Sequence, residues 1–357
     1  MGKYDKDRFQ KELAIRYCLA RGQIPFVEVV VRGQADLSDT VEVLTDLDVL
    51  GVDAVGDGSL RRTLYDCKTS NKLSSINRAF WASGVLSYTG CNDAIVIQRN
   101  KAVSNHRISA LTVNVDLHDE TSFHDLGQTV DPGFPSDTCY QASIDRWNDV
   151  AEVYKKCTWA SELFEFARNV IPLSNVPWST FRKCLVEIRS AKGNFDPEKP
   201  QDVCIFLDVL ASMFVLWATL GRDIRRFYDP SMNKGDFEKV LRYYLWGGKE
   251  AYGIRQQLRA RSDDSGAESL ELPDWEGLVK FAGLIVSAPQ YLLECGHITR
   301  ELSIKMATGS LQDFDAKLAH RIKSNSHSRQ YILGLTEYLV SAGGLPKDMV
   351  GKVSAHL

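Results

Sequence analysis

The chain has eight cysteines but no Cys-x-x-Cys pair; they stand singly at positions 18, 67, 91, 139, 157, 184, 204 and 295. That spacing argues against a zinc ribbon. A Walker pattern, a Gly-rich phosphate loop and an internal repeat are also missing, so any ATP-driven step would have to come from a partner. There is no cationic excess. The chain sets 43 Lys and Arg against 46 Asp and Glu, a net charge of −3, and neither residues 1–125 nor the remainder is basic. The usual electrostatic footprint of a nucleic-acid binder is therefore absent from the totals. The opening Met1-Gly-Lys-Tyr-Asp-Lys-Asp7 is charged and polar and does not read as a secretory signal. The apolar run Cys204–Leu220 is interrupted by Asp208 and falls short of the ~20 residues that a bilayer span needs, so it reads as a buried core helix. These features together predict a soluble, cytoplasmic chain with reduced thiols and no membrane contact.

What the chain does have is apolar material and a conspicuous pair of strands. Its 357 residues, 44% hydrophobic, are enough for two packed cores. Thr45-Asp46-Leu47-Asp48-Val49-Leu50-Gly51-Val52 and Leu64-Tyr65-Asp66-Cys67-Lys68 both read as strands that carry charge where apolar residues belong. Side chains alternate along a strand, so Asp48 shares a face with Leu50 and Val52, and Leu64, Asp66 and Lys68 share another. Gly56 and Gly58 mark a turn between them, which places Asp48 beside Asp66 and Lys68. Two carboxylates and an amine on one sheet face are costly unless paired. Hard oxygen ligands of this kind suit Mg²⁺ or Mn²⁺ rather than Zn²⁺. A lysine beside such a metal can orient an attacking water, or take its proton if its pKa is lowered.

The strand pair, preceded by a helix over 6–21 and a strand over 26–32 and followed by a helix over 74–88 and a strand over 93–98, resembles the PD-(D/E)XK nuclease superfamily. The nearer likeness is to its restriction-endonuclease-like and resolvase-like branch. It covers residues 6–125 and departs from the pattern in having Leu47, not proline, before Asp48. The resemblance implies a mixed sheet flanked by helices and catalysis by Glu12 of the first helix, Asp48, Asp66 and Lys68. The metal, Mg²⁺ or Mn²⁺, would take Glu12, Asp48, Asp66 and the backbone carbonyl of Cys67 as ligands. Asp46, Thr69, Ser70 and Asn77 are further candidates for supporting or phosphate contacts. Each has a plainer reading. Glu12 pairs with Arg16 one turn on, Asp46 is a solvated strand-end charge, Lys68 guards a sheet edge, and Thr69 and Ser70 form a turn. Lys72 is best read as a solvated lysine, and Trp81 as core. Asp315-Ala-Lys317 repeats the acid-x-lysine spacing on what reads as a helix and is a decoy.

Residues 126–143, rich in Pro, Gly and polar side chains, read as a linker. Residues 144–357 then read as an all-α domain, with helices over 144–171, 179–192, 201–227, 235–246, 274–294, 298–308, 311–324 and 327–342. Three basic clusters, Arg222, Arg225 and Arg226, then Arg255, Arg259 and Arg261, then His320, Arg321, Lys323 and Arg329, are candidate phosphate contacts, each more often a solvated helix face. The expected function is metal-dependent hydrolysis of phosphodiester bonds, in DNA first, in genome defence or repair. The helical half would then select a substrate or a partner protein, or form a homodimer. The alternatives are an inactive nuclease-fold scaffold and a helical interaction module.

Overall fold

The computed structural model describes residues 2–33, 42–54, 59–69, 74–261 and 270–357. The chain opens with helix α1 (Arg8–Ala20) and continues through strands β1 (Ile24–Arg32), β2 (Val43–Ala54) and β3 (Leu60–Lys68). Helix α2 (Ser75–Thr89), strand β4 (Asp93–Gln98), helix α3 (Ser104–Leu111), strand β5 (Val115–Asp119) and helix α4 (Glu120–Val130) follow. The five strands form one sheet in the order β1-β2-β3-β4-β5. The first three are antiparallel; β3, β4 and β5 run parallel, joined by α2 and then α3. The central strands are buried on both faces, as their runs of Val, Leu and Ile require.

Local chemistry sets the ends of these elements. The Ser74 side chain accepts from the Asn77 N–H at the start of α2, and Gly90, at φ 68°, closes it in the left-handed region. Asp119 and Ser122 form a capping box at the start of α4. Under the sheet, Tyr17 of α1 meets Tyr65, Phe123 and Phe134 with ring centroids 5.0–6.3 Å apart. Gln23 ties α1 to the sheet: it accepts from the Tyr65 hydroxyl at 2.7 Å and donates to Asp53 at 2.8 Å. The approach is close enough that a Cβ on Gly51 would lie 2.5 Å from Gln23 Oε1 and 2.9 Å from Cys18 Sγ. Glycine is the residue that fits there.

The rest of the described chain is helical: α5 (Ile144–Lys156), α6 (Ser161–Glu165), α7 (Pro177–Ser190), α8 (Pro200–Phe227), α9 (Lys234–Leu245), α10 (Lys249–Arg261), α11 (Trp275–Val286), α12 (Leu292–Thr308), α13 (Gln312–Lys323), α14 (Ser326–Gly343) and α15 (Asp348–Ala355). The chain forms two compact units. Among the described residues, the first holds 2–33, 42–54, 60–69, 74–156 and 303–318, and the second holds 59, 157–261, 270–302 and 319–357.

The sequence reading of the organisation is corrected in several places. The expected linker over 126–143 is packed into the first unit: Phe134, Tyr140 and Ala142 are buried. The chain passes to the second unit at Lys156/Cys157, where the expected helix over 144–171 breaks, and residues 303–318 return to the first. There the decoy Asp315 lies on α13, held by Lys305 at 2.8 Å and by the Tyr140 hydroxyl at 2.8 Å. The expected helix over 274–294 ends early, before Pro289. Helices α10 and α15 were not anticipated; α10 is largely polar and exposed and gives little periodic signal.

Helix α8 is 28 residues long and apolar enough to cross a membrane, yet 94% of its most apolar window is buried in the protein. The acid in the middle of its apolar run, Asp208, shows why it is a core helix. Asp208 is fully buried and receives Arg168 at 2.7 Å and also Arg300, while the Ser212 hydroxyl lies 3.0 Å from Arg300. Removing the acid leaves two buried guanidiniums without their carboxylate. Asp208→Ala is expected to cost about 3–5 kcal/mol, read as a fall in the urea midpoint of the second unit; an unchanged midpoint would contradict this account.

Candidate active site

The main-chain ladder between β2 and β3 runs from Ala54↔Leu60 to Val49↔Tyr65 and then stops. Beyond that point the Cys67 N–H donates to the carboxylate of Asp48, at 2.9 Å, instead of to a β2 carbonyl. Asp48 precedes Val49 and Asp66 follows Tyr65, so the two acids face each other where the strands part. On the other side, Val27↔Val49 and Val29↔Leu47 bracket Glu28 beside Asp48. Three adjacent strands thus each contribute one carboxylate to a single row: Glu28, Asp48 and Asp66. Glu28 has φ 53°, the left-handed region that a side chain rarely adopts within a strand. The carboxylate oxygens of Glu28, Asp46 and Asp48 can all lie within 4.8 Å of one another.

Cations from three elements offset this row. Lys68 Nζ is 2.7 Å from Asp48, 3.5 Å from Asp66 and 3.9 Å from Asp7. Lys11 of α1, with its side chain wholly buried, pairs with Glu28 and lies 3.8 Å from Asp48. Arg78 of α2 holds both oxygens of Asp66 and stacks its guanidinium 4.4 Å from the centre of the Trp81 ring. Asp7 caps α1 in the left-handed region and accepts from the Thr69 N–H at 2.8 Å, which fastens the end of β3 to the start of α1.

The charge states follow from these contacts. Burial and the charge of Asp66 push the Asp48 carboxyl up, against the pull of Lys68. Burial also pushes Glu28 up, while Asp46, despite its own desolvation, is held low by the hydrogen bond from Glu28. Burial works to lower Lys68, but Asp48 and Asp66 outweigh it and raise its ammonium to about 12. Lys68 is thus a cation at neutral pH.

The structure brings Asp48, Asp66 and Lys68 together, with Asp46 at the edge and Thr69 holding Asp7. Cys67 meets the site through its N–H. Glu12 does not join it and is corrected here. Successive helical residues are turned by about 100°, and it is Lys11 that points at the sheet. Glu12 instead accepts from the Ile144 N–H at 3.1 Å, at the start of α5, and lies between Arg8 at 3.4 Å and Arg16 at 3.5 Å. Asn77 is exposed on α2, and Ser70 and Lys72 lie outside the described residues. Sequence reasoning missed Glu28, Lys11, Arg78 and Asp7. Glu28 had a signal, as the lone acid in Ile24-Pro-Phe-Val-Glu-Val-Val-Val31. The donor set of Glu28, Asp46 and Asp48 is all hard oxygen and fits Mg²⁺ or Mn²⁺. Comparison of the chain with protein-family models, with curated proteins and with solved structures found no match.

A carboxyl whose pKa is raised by folding favours the folded state below that pKa and disfavours it above. Removing Lys68 strips Asp48 of its nearest cation and pushes that carboxyl further up. Lys68→Met is therefore expected to destabilise the first unit by about 2–3 kcal/mol at pH 8 and by clearly less at pH 5, where Asp48 can protonate. Urea midpoints in EDTA at the two pH values check this; an equal loss at both would show that Lys68 does not balance the acid.

Proposed function

We propose that the first unit is a metal-dependent nuclease of the restriction-endonuclease-like PD-(D/E)XK type, hydrolysing phosphodiester bonds in DNA in a cytoplasmic setting, in genome defence or repair. The reading is carried by one observation: Glu28, Asp48 and Asp66 form a row at the fork of β2 and β3, with the Lys68 ammonium 2.7 Å from Asp48. Glu28, Asp46 and Asp48 would hold Mg²⁺ or Mn²⁺, and Asp66 would join them on release from Arg78. When bound, the metal supplies Lewis-acid stabilisation of a phosphoryl oxygen and a water of lowered pKa.

The chain's own groups do the rest. Lys68, held positive, is suited to orient the attacking water and to offset charge on the phosphate; its raised pKa argues against it as the starting base. Asp48, anchored by the Cys67 N–H, fixes the position of that ammonium. Arg78, stiffened by Trp81, can trade the Asp66 carboxylate for a phosphate oxygen. Three cations face the three acids of the row, and Asp7 and Asp46 add further negative charge, so the site itself does not attract a polyanion and substrate affinity would come from elsewhere in the chain or from a partner or second copy held by the helical unit.

A second reading has its own support. Lys11 on Glu28 and Arg78 on Asp66 already satisfy two of the three carboxylates, as a nuclease-like scaffold without turnover would require. Cleavage of labelled single- and double-stranded DNA and RNA with Mg²⁺ or Mn²⁺ separates the two. The expected outcome is metal-dependent cutting that EDTA abolishes and that falls at least about 100-fold in Asp48→Asn, Asp66→Asn and Lys68→Met. Glu12→Gln should cut within a few-fold of wild type, since that residue serves α5. Calorimetric Mn²⁺ binding that is lost in Glu28→Gln, without cutting of any substrate, would favour the scaffold. No metal binding at all would sink the catalytic reading.

A further inference from the structure

In the second unit, two arginines crowd one indole ring. Arg182 of α7 and Arg255 of α10 carry their guanidinium carbons to 4.5 and 5.5 Å from the centre of the Trp246 ring. Trp246 ends α9, and the chain turns into α10 through Gly247 and Gly248, at φ 81° and 115°. The turn needs glycine: both positions lie in the left-handed region, and a Cβ on Gly247 would stand 3.1 Å from the Trp178 indole nitrogen. Arg255 folds back over the start of its own helix, with Nη1 3.0 Å from the Ala251 carbonyl and 3.4 Å from the Trp246 carbonyl.

Arg182 is differently placed. Its Nη1 is buried and has no hydrogen-bond partner among the described residues. Neither arginine forms an ion pair with a described acid. Burial and the charge of Arg255 both hold the Arg182 guanidinium below its ordinary value, a sign of like charges brought together. Two guanidiniums held against one ring without a described carboxylate call for an anion on their accessible nitrogens. Their features select which one. Two guanidinium forks match the oxygens of a tetrahedral oxyanion, and a phosphate monoanion or dianion offsets their charge. Both guanidiniums lie against the Trp246 ring, and Arg255 also reaches the first turn of α10, whose free N–H groups carry partial positive charge.

We infer that Arg182, Arg255 and the first turn of α10, set around Trp246, form a binding site for a phosphate group. The inference stands apart from the nuclease reading, because every residue in it belongs to the second unit. Two sources share this chemistry: free inorganic phosphate, and the phosphodiester backbone of a nucleic acid.

Calorimetry at low salt in EDTA tests it, with inorganic phosphate and single-stranded oligothymidylate as separate probes. The proteins are wild type, Arg182→Gln and Arg255→Gln, each checked by circular dichroism. Wild type is expected to bind at least one probe, with affinity for that probe falling at least tenfold in each variant. Loss for phosphate alone assigns the free anion; loss for the oligonucleotide assigns the backbone. Arg255 is exposed on α10, so its variant carries the test if Arg182→Gln folds poorly. A wild type that binds neither probe, or affinities unchanged in Arg255→Gln, overturns the proposal.

Discussion

Asp48 and Asp66 are buried side by side, with side chains 4% and 1% exposed, and an uncompensated buried carboxylate costs several kcal/mol. Much of the first unit's arrangement answers that demand. Cations arrive from three separate elements: Lys68 from β3 itself, Lys11 from α1 and Arg78 from α2. Each pins its element to the sheet through a charge-assisted contact. The Cys67 N–H gives up a ladder bond to hold Asp48, so the parting of β2 and β3 and the burial of the acid are one event. The left-handed Glu28 extends the same row onto β1.

The second unit handles a buried charge by the same logic in a different architecture. Asp208 would be out of place in an apolar helix, but Arg168 and Arg300 meet it inside the helical core. This pairing lets α8 be apolar over most of its length and still belong to a protein interior. Around Trp246 the balance is left open, since two guanidiniums share a ring without a described acid beside them. A near-neutral chain can therefore hold local fields of either sign, which its totals conceal.

The site bears on function through what its charges permit. A lysine held fully protonated by two acids is a poor proton acceptor and a good electrostatic guide. Acids already paired with arginine and lysine can be redeployed toward a metal only if those pairs break, so the energy of Lys11–Glu28 and Arg78–Asp66 enters any metal affinity. That coupling is what separates a working nuclease from a scaffold of the same shape.

The face shared by Asp66 and Lys68 and the placement of Asp48 beside them were legible in the sequence because they depend on alternation along single strands, a period fixed by backbone geometry, and on one turn between neighbours. So was the helical character of the second half, through apolar periodicity. The identity of the residue that α1 sends to the sheet was not legible. Positions 11 and 12 differ by one helical step, and only the docking of Tyr17 on Tyr65, with Gln23 and the close approach at Gly51, sets the rotation that selects Lys11. Arg78 and Asp7 were hidden for the same reason: their partners are remote in sequence, and contacts between remote residues leave no periodic trace. The return of residues 303–318 to the first unit belongs here too. Local propensity and alternation determined which elements form; long-range packing and the need to neutralise buried charge decided which side chains meet.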